Sequence, residues 1–230
     1  MKKRFVIMAP DTDCAKTITT AGLLSAAVNK KINATASKPI QTGSSNERSS
    51  DLDFILSIAN IKTKIYDKLV LCKLKTPASP LLAAQIEKQN INLDEIVRKT
   101  IEISNNYDLF FVETAGGIYS PITQNQTNAD FAEKLICPVI ISIPNRVGAI
   151  SLGVMAVKSA LAQNLPVAGA VFSQTEITRN EIDSAIIRDN VETFKRMTSI
   201  KVLASVPFID KFSNKTISPF FNDAIDFLMN

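Results

Sequence analysis

The feature that most constrains this chain is an alternation kept up from end to end: short runs rich in β-branched and aromatic residues, each followed by a longer stretch of helical spacing. The runs are RFVIM at 4–8, ATASKP at 34–39, KLVLCKL at 68–74, DLFFVE at 108–113, PVIISI at 138–143, VAGAVF at 167–172 and KVLASV at 201–206. Helical patterns occupy 17–30, 51–59, 92–105, 149–163, 179–196 and 220–229. This order predicts an α/β fold with a mostly parallel, doubly wound sheet and helices on both faces. The runs are nearly continuous in apolar residues, as strands buried on both faces are. In NLDEIVRKTIEI, Asn92 is placed to cap a helix, with acids in its first turn. With no internal repeat or Gly/Ser linker, residues 1–230 read as a single domain. The loops at 40–50 and 114–126 follow strand C-terminal ends, the side on which open α/β sheets bind ligands.

Composition narrows the chemistry. The chain is 46% hydrophobic and 21% charged with a net charge of +4, an ordinary globular balance that does not suggest nucleic-acid binding. No apolar segment reaches the length of a membrane span, and FVIMA is too short for a signal peptide. Three scattered cysteines, Cys14, Cys72 and Cys137, suggest neither a disulfide framework nor a zinc site, and fit buried thiols in a reducing cytosol. Histidine is absent, so acid–base or phosphoryl chemistry must rest on Lys, Asp, Glu, hydroxyls and metal ions.

The stretch APDTDCAKT at 9–17 joins the first strand to the first helix and ends like a phosphate-binding loop, but alanines, Ala9 and Ala15, stand where that pattern has its glycines. In the functional reading Lys16 reaches the nucleotide phosphates and the Thr17 hydroxyl ligates Mg2+ at a helix N-terminus. Glycine supplies positive φ in such loops, so two left-handed alanines would together cost roughly 2–4 kcal/mol. The chain holds only seven glycines, so general depletion explains the alanines as well as specific inactivation does. By itself the segment suits an ordinary strand–helix connection equally well.

Two further segments carry the argument. In SKPIQTGSSNERSSD, Lys38 ends the second strand and Asp51 opens a helix. Read plainly, these are a surface lysine and a first-turn acid; functionally, they are a second cation facing Lys16 and a metal ligand. In DLFFVETAGGIYSPI, Glu113 closes the most hydrophobic strand before Gly116 and Gly117, the position from which an acid holds Mg2+. Thr17, Asp51 and Glu113 together make a hard-oxygen metal set.

DTDCAKT, SKPIQTG, SSDLD, TPASPLLAA, VETAGGIYSPI, PVIISIPNRVGAISL and LPVAGAVFS, in that order, resemble dethiobiotin synthetases over nearly the whole chain. The resemblance implies a P-loop NTPase-like fold and a cytoplasmic homodimer with the site at the subunit interface. It implies ring closure of 7,8-diaminopelargonic acid with CO2 through a carbamic-phosphate intermediate. The co-substrate would be ATP, or another nucleoside triphosphate, with Mg2+; no nucleic acid or membrane takes part.

By the same resemblance Lys38 and Lys16 are catalytic. The nucleotide falls to Asp13, Cys14, Ala15, Lys16, Thr17, Ile18, Glu113 and Gly116, with Ser173, Pro207, Phe208 and Ile209 beside the base. The diamine falls to Thr12, Lys38 and Thr42, and its carboxylate to Gly148, Ala149, Ile150 and Ser151 of the partner subunit. Ser173 stands where the family has an adenine-reading asparagine, Thr114 replaces a glycine, and Pro10 removes a backbone donor. The alternatives are a non-catalytic binding protein on the same fold, or another P-loop ligase or ATPase. For a membrane-regulated ATPase the C-terminal NDAIDFLMN is short and acidic rather than basic.

Overall fold

The computed structural model describes residues 2–44 and 48–230, so residues 45–47 of the expected 40–50 loop lie outside the described residues. In chain order the elements begin β1 (Lys3–Met8), α1 (Lys16–Asn29), β2 (Ala34–Ser37), β3 (Ile40–Gln41), α2 (Ser50–Ile58), α3 (Tyr66–Leu69), β4 (Cys72–Lys73), α4 (Pro80–Ile86) and α5 (Leu93–Ser104). They continue with β5 (Leu109–Glu113), α6 (Asn128–Leu135), β6 (Val139–Pro144), α7 (Ala149–Ala162), β7 (Val167–Ser173), α8 (Glu181–Thr198) and β8 (Val202–Val206). The short α9 (Asn214–Ile217), a 3-10 turn (Ser218–Phe221) and α10 (Asn222–Met229) complete the chain.

Six strands form one sheet in the order β2-β5-β1-β6-β7-β8, every pairing parallel. Successive side chains of a strand point to opposite faces, and all five residues of β5 are buried, so both faces of the sheet centre are covered. From β1 the chain runs out to β2, returns through β5 between them, and then builds β6, β7 and β8 in sequence on the other side. All the strand C-termini therefore lie on one rim, and β2, β5 and β1 end side by side. Register fixes this: Ser37 pairs with Val112, and Ile7 pairs with Glu113.

Two expectations about the strands are corrected. KLVLCKL does not join the main sheet: Lys68 and Leu69 end α3, and only Cys72–Lys73 pairs, with Ile40–Gln41. Its Leu69, Val70 and Leu74 are buried, but its backbone bonds to the segment after β2, through Lys38 N–H to Leu69 O at 3.0 Å and Leu71 N–H to Pro39 O at 2.9 Å. An apolar run records burial without naming its partner. The second expected strand also stops early, at Ser37, because Pro39 has no N–H for a ladder and the chain turns there into β3.

The sequence reading passed over α3, α4, α6 and α9, all of eight residues or fewer. Three of these carry start signals: Ser79 caps α4 with Pro80 in its first turn, Thr127 and Asp130 form a capping box on α6, and Ser213 and Thr216 form one on α9. Asn92 caps α5 as its position predicts, accepting from Glu95 N–H at 3.0 Å. No helix among the described residues is long and apolar enough to cross a membrane.

Candidate active site

A cavity of about 830 Å3 opens on the rim where β1, β5 and β2 end. Thr12 to Ile18 form one wall, Lys38, Thr42 and Asp51 another, and Glu113 and Gly116 the floor between them. Each wall is the first stretch of chain beyond a neighbouring strand, so the sheet order gathers residues that lie 96 or more positions apart, such as Thr17 and Glu113.

Glu113 is 1% exposed, and every carboxylate oxygen is engaged. Oε1 accepts from Thr17 Oγ1 at 2.9 Å and from Lys38 Nζ at 2.8 Å. Oε2 lies 2.6 Å from Thr20 Oγ1, a residue the sequence reading did not select. Thr20 Oγ1 also sits 2.9 Å from Lys16 O, but its one proton belongs with the shorter, charge-assisted contact. Its signal was available: Thr20 is one helical turn beyond Lys16 on the buried face of α1.

Lys38 is 4% exposed and lies between two acids, 2.8 Å from Asp51 Oδ2 and 2.8 Å from Glu113 Oε1, with Thr114 O at 3.2 Å. Burial works against its charge, but the two carboxylates outweigh it and hold the ammonium above its usual pKa. Lys16, 6% exposed, donates to Asp11 O at 2.9 Å within its own loop. Burial first, and repulsion from Lys38 second, push its pKa down. The cavity thus presents one ammonium neutralised by acids and one short of a counter-charge, a setting suited to an incoming anion.

The metal set of Thr17, Asp51 and Glu113 is compatible with this arrangement. Both carboxylates already converge on a cation, Lys38 Nζ, and Thr17 directs its proton at Glu113, which leaves its lone pairs for a cation in the cavity. All three donors are hard oxygens of the kind Mg2+ takes, and phosphate oxygens would complete the shell. Among the described residues no group of three or more His, Cys, Asp or Glu is placed to hold a metal ion.

The loop corrects one expectation. The positive-φ residues are Asp13 at 53° and Ala15 at 57°; Ala9 is not among them. Ala9 is fully buried, and its carbonyl accepts from Ile118 N–H at 3.1 Å, so its small size serves packing. The loop at residue 15 nevertheless keeps the left-handed conformation that glycine gives at low cost, on a residue carrying a Cβ. Close beside it, Gly117 packs so tightly that a Cβ there would stand 2.5 Å from Pro10 O.

The remaining expected residues lie away from this cavity's walls. Ser173 is 1% exposed, and its hydroxyl has no hydrogen-bond partner among the described residues. Ser173 pairs with Val206 across β7 and β8, which sets it beside the segment Pro207 to Ile209. Phe208 N–H donates to the Gln174 side chain at 3.1 Å, and the next residue, Thr175, lines the cavity. Gly148, at φ 88°, caps α7 ahead of Ala149, Ile150 and Ser151, and no side chain caps the helix start. Lining that the sequence motifs quoted but did not assign comes from TPASPLLAA, whose Pro77, Ala78, Ser79 and Pro80 border the cavity.

Known proteins resemble this chain in sequence and in fold. A family model described as an AAA domain matches residues 3–216. An ATP-dependent dethiobiotin synthetase of Anoxybacillus flavithermus is 33% identical over 94% of this chain and 96% of its own length. One from Halalkalibacterium halodurans is 29% identical over 90% of this chain and 85% of its own length. Among solved structures, the MinC:MinD cell division protein complex of Aquifex aeolicus aligns with a TM-score of 0.61 at 16% identity, covering 99% of this chain and 96% of that one. A ParA family ATPase of Chlorobium tepidum aligns at 0.57 and 10% identity, covering 100% and 98%. These two likenesses concern the fold.

Proposed function

Because the chain belongs to the dethiobiotin synthetase family, we propose that it closes the ureido ring of dethiobiotin from 7,8-diaminopelargonic acid, CO2 and ATP in the cavity at the ends of β1, β5 and β2. One observation carries the reading: Lys16, Thr17, Lys38, Asp51 and Glu113 line a single cavity.

One amine of the substrate adds CO2 and loses a proton, giving a carbamate near Lys38, Thr12 and Thr42. A carbamate oxygen then attacks the γ-phosphorus, ADP departs, and a carbamic–phosphoric anhydride remains. The second amine attacks the carbonyl carbon; phosphate leaves and the nitrogen gives up its proton to solvent. Bound Mg2+, held by Thr17, Asp51 and Glu113, would supply charge neutralisation to the phosphates. Lys16, released from Asp11 O, lies on the γ-phosphoryl oxygens, and Lys38 faces the carbamate, so positive charge meets both ends of the transferring group. No step needs an imidazole, which suits a chain without histidine.

The nucleotide's phosphates follow residues 13–18, with the base beside Ser173 and Pro207 to Ile209. The substrate carboxylate sits at the N-terminus of α7, Gly148 to Ser151, of a second copy of the chain, although Ala149 N–H there already donates to Arg146 O at 3.0 Å; the enzyme is then a homodimer, working in the cytoplasm. Ser173 offers a single hydroxyl in place of paired amide groups, so ATP is not expected to be strongly preferred over other nucleoside triphosphates.

The test is an incubation with Mg2+, bicarbonate, the diamine and each nucleoside triphosphate in turn, measuring phosphate release and dethiobiotin by mass. Product with any of them supports the reading. Folded protein that makes none with every nucleotide sinks it, and phosphate released without the diamine redirects it to an ATPase.

A further inference from the structure

The phosphate loop keeps Ala15 in a conformation alanine disfavours, and a buried device from a neighbouring strand bears directly on the peptide that sets it. Ser142, in the middle of β6 and 0% exposed, donates from Oγ to Cys14 O at 2.7 Å. Thr19, in the second turn of α1 and also 0% exposed, places Oγ1 2.9 Å from Ser142 Oγ. A carbonyl only accepts, so the Ser142 proton goes to Cys14 O and Thr19 must donate to Ser142. The relay therefore runs in one direction, from helix to strand to loop.

Its end point matters. Cys14 lies between the loop's two left-handed residues, Asp13 at φ 53° and Ala15 at φ 57°. In a trans peptide the C=O and N–H point in opposite directions. Fixing Cys14 O onto β6 thus aims the Ala15 N–H away from the sheet, toward the cavity side where the phosphates of the proposed reading would lie. Rotating that peptide by half a turn would carry Ala15 to negative φ and relieve it, turning a carbonyl toward the anion instead. Glycine has no preference between the two states, whereas alanine favours the turned one.

We infer that Ser142, oriented by Thr19, is a positioning residue that holds the Cys14–Ala15 peptide in its phosphate-accepting orientation, and so replaces the glycine this loop lacks. This rests on the loop being the nucleotide's phosphate site.

The experiment measures binding of Mg2+ with a non-hydrolysable ATP analogue by calorimetry, to the full chain and to Ser142→Ala, Ala15→Gly and the double variant. Ser142→Ala is expected to weaken binding about tenfold, the worth of one buried hydrogen bond. In the Ala15→Gly background the same substitution should cost less than about threefold, and Ala15→Gly alone should bind at least as tightly as the original chain. Equal losses in both backgrounds, or no loss in Ser142→Ala, overturn the clamp while leaving the functional reading intact. An original chain that binds no nucleotide overturns both. Should Ser142→Ala not fold, Thr19→Val, close to isosteric, takes its place in the same cycle: a weakening abolished by Ala15→Gly supports the relay, and an undiminished one refutes it.

Discussion

At the residue scale the two site lysines titrate in opposite senses. Burial opposes the charge on Lys38, but Glu113 and Asp51 raise its pKa above the ordinary lysine value. A raised folded-state pKa means that the pair's stabilisation is complete below about pH 10.4 and lost as pH climbs through the higher folded value. Lys16 is lowered, by burial first, so its cost to stability is full below that lowered value and is relieved as pH rises from there to about 10.4. Replacing Lys38 by Met strands one buried and one half-buried carboxylate, and should cost about 3–5 kcal/mol at pH 8. Urea unfolding of both proteins across alkaline pH should show the gap closing above about pH 10.4; a gap that stays constant refutes the assignment. Thr20 makes a second residue-scale case, since its hydroxyl turns Glu113 so that Oε1 faces Thr17 and Lys38. Thr20→Val should raise the Mg2+ concentration needed for half-maximal phosphate release several-fold, and Thr20→Ser should restore it. A merely structural role would lower stability and leave the Mg2+ midpoint in place.

At the element scale the site is a matter of how a turn and a loop fit together. The turn after β5 is anchored from below by Asn128, the first residue of α6, which donates to Ala115 O at 2.6 Å and Gly117 O at 2.8 Å. From above it presses on the phosphate loop, with Ile118 N–H bonded to Ala9 O and no room at Gly117 for a side chain. Gly117→Ala should push Pro10 and Asp11 out of place, lower stability by about 1–3 kcal/mol and weaken nucleotide binding by about tenfold or more. Denaturation and binding titrations check both effects, and a variant with native affinity would show that the loop does not depend on this contact. The GG pair was visible in the sequence, but the contact was not: Gly117 and Pro10 lie 107 positions apart along the chain and meet only because β5 lies beside β1. Likewise KLVLCKL carries every local mark of a strand. Its partner turned out to be the segment after β2, and no local pattern records which neighbour an apolar run will find.

At the scale of the whole molecule, the alternating pattern alone determined the class of fold, because parallel strands need helical crossovers and buried strands need apolar residues on both faces. The sequence also determined which side chains are chemically able: a lysine and threonine opening the first helix, a lysine and two acids at element boundaries, and no imidazole. Strand order was left to the tertiary structure. With β5 inserted between β1 and β2, Glu113 lies between Thr17 and Lys38; with β5 at the sheet edge, the same residues would lie strands apart. The tertiary structure also decided how a loop without glycine keeps its shape, through hydroxyls on β6 and α1 to which the sequence assigns no role. Spacing along the chain specifies which groups an element can offer, whereas a hydrogen bond such as Ser142 to Cys14 exists only once two distant elements are packed at a fixed distance.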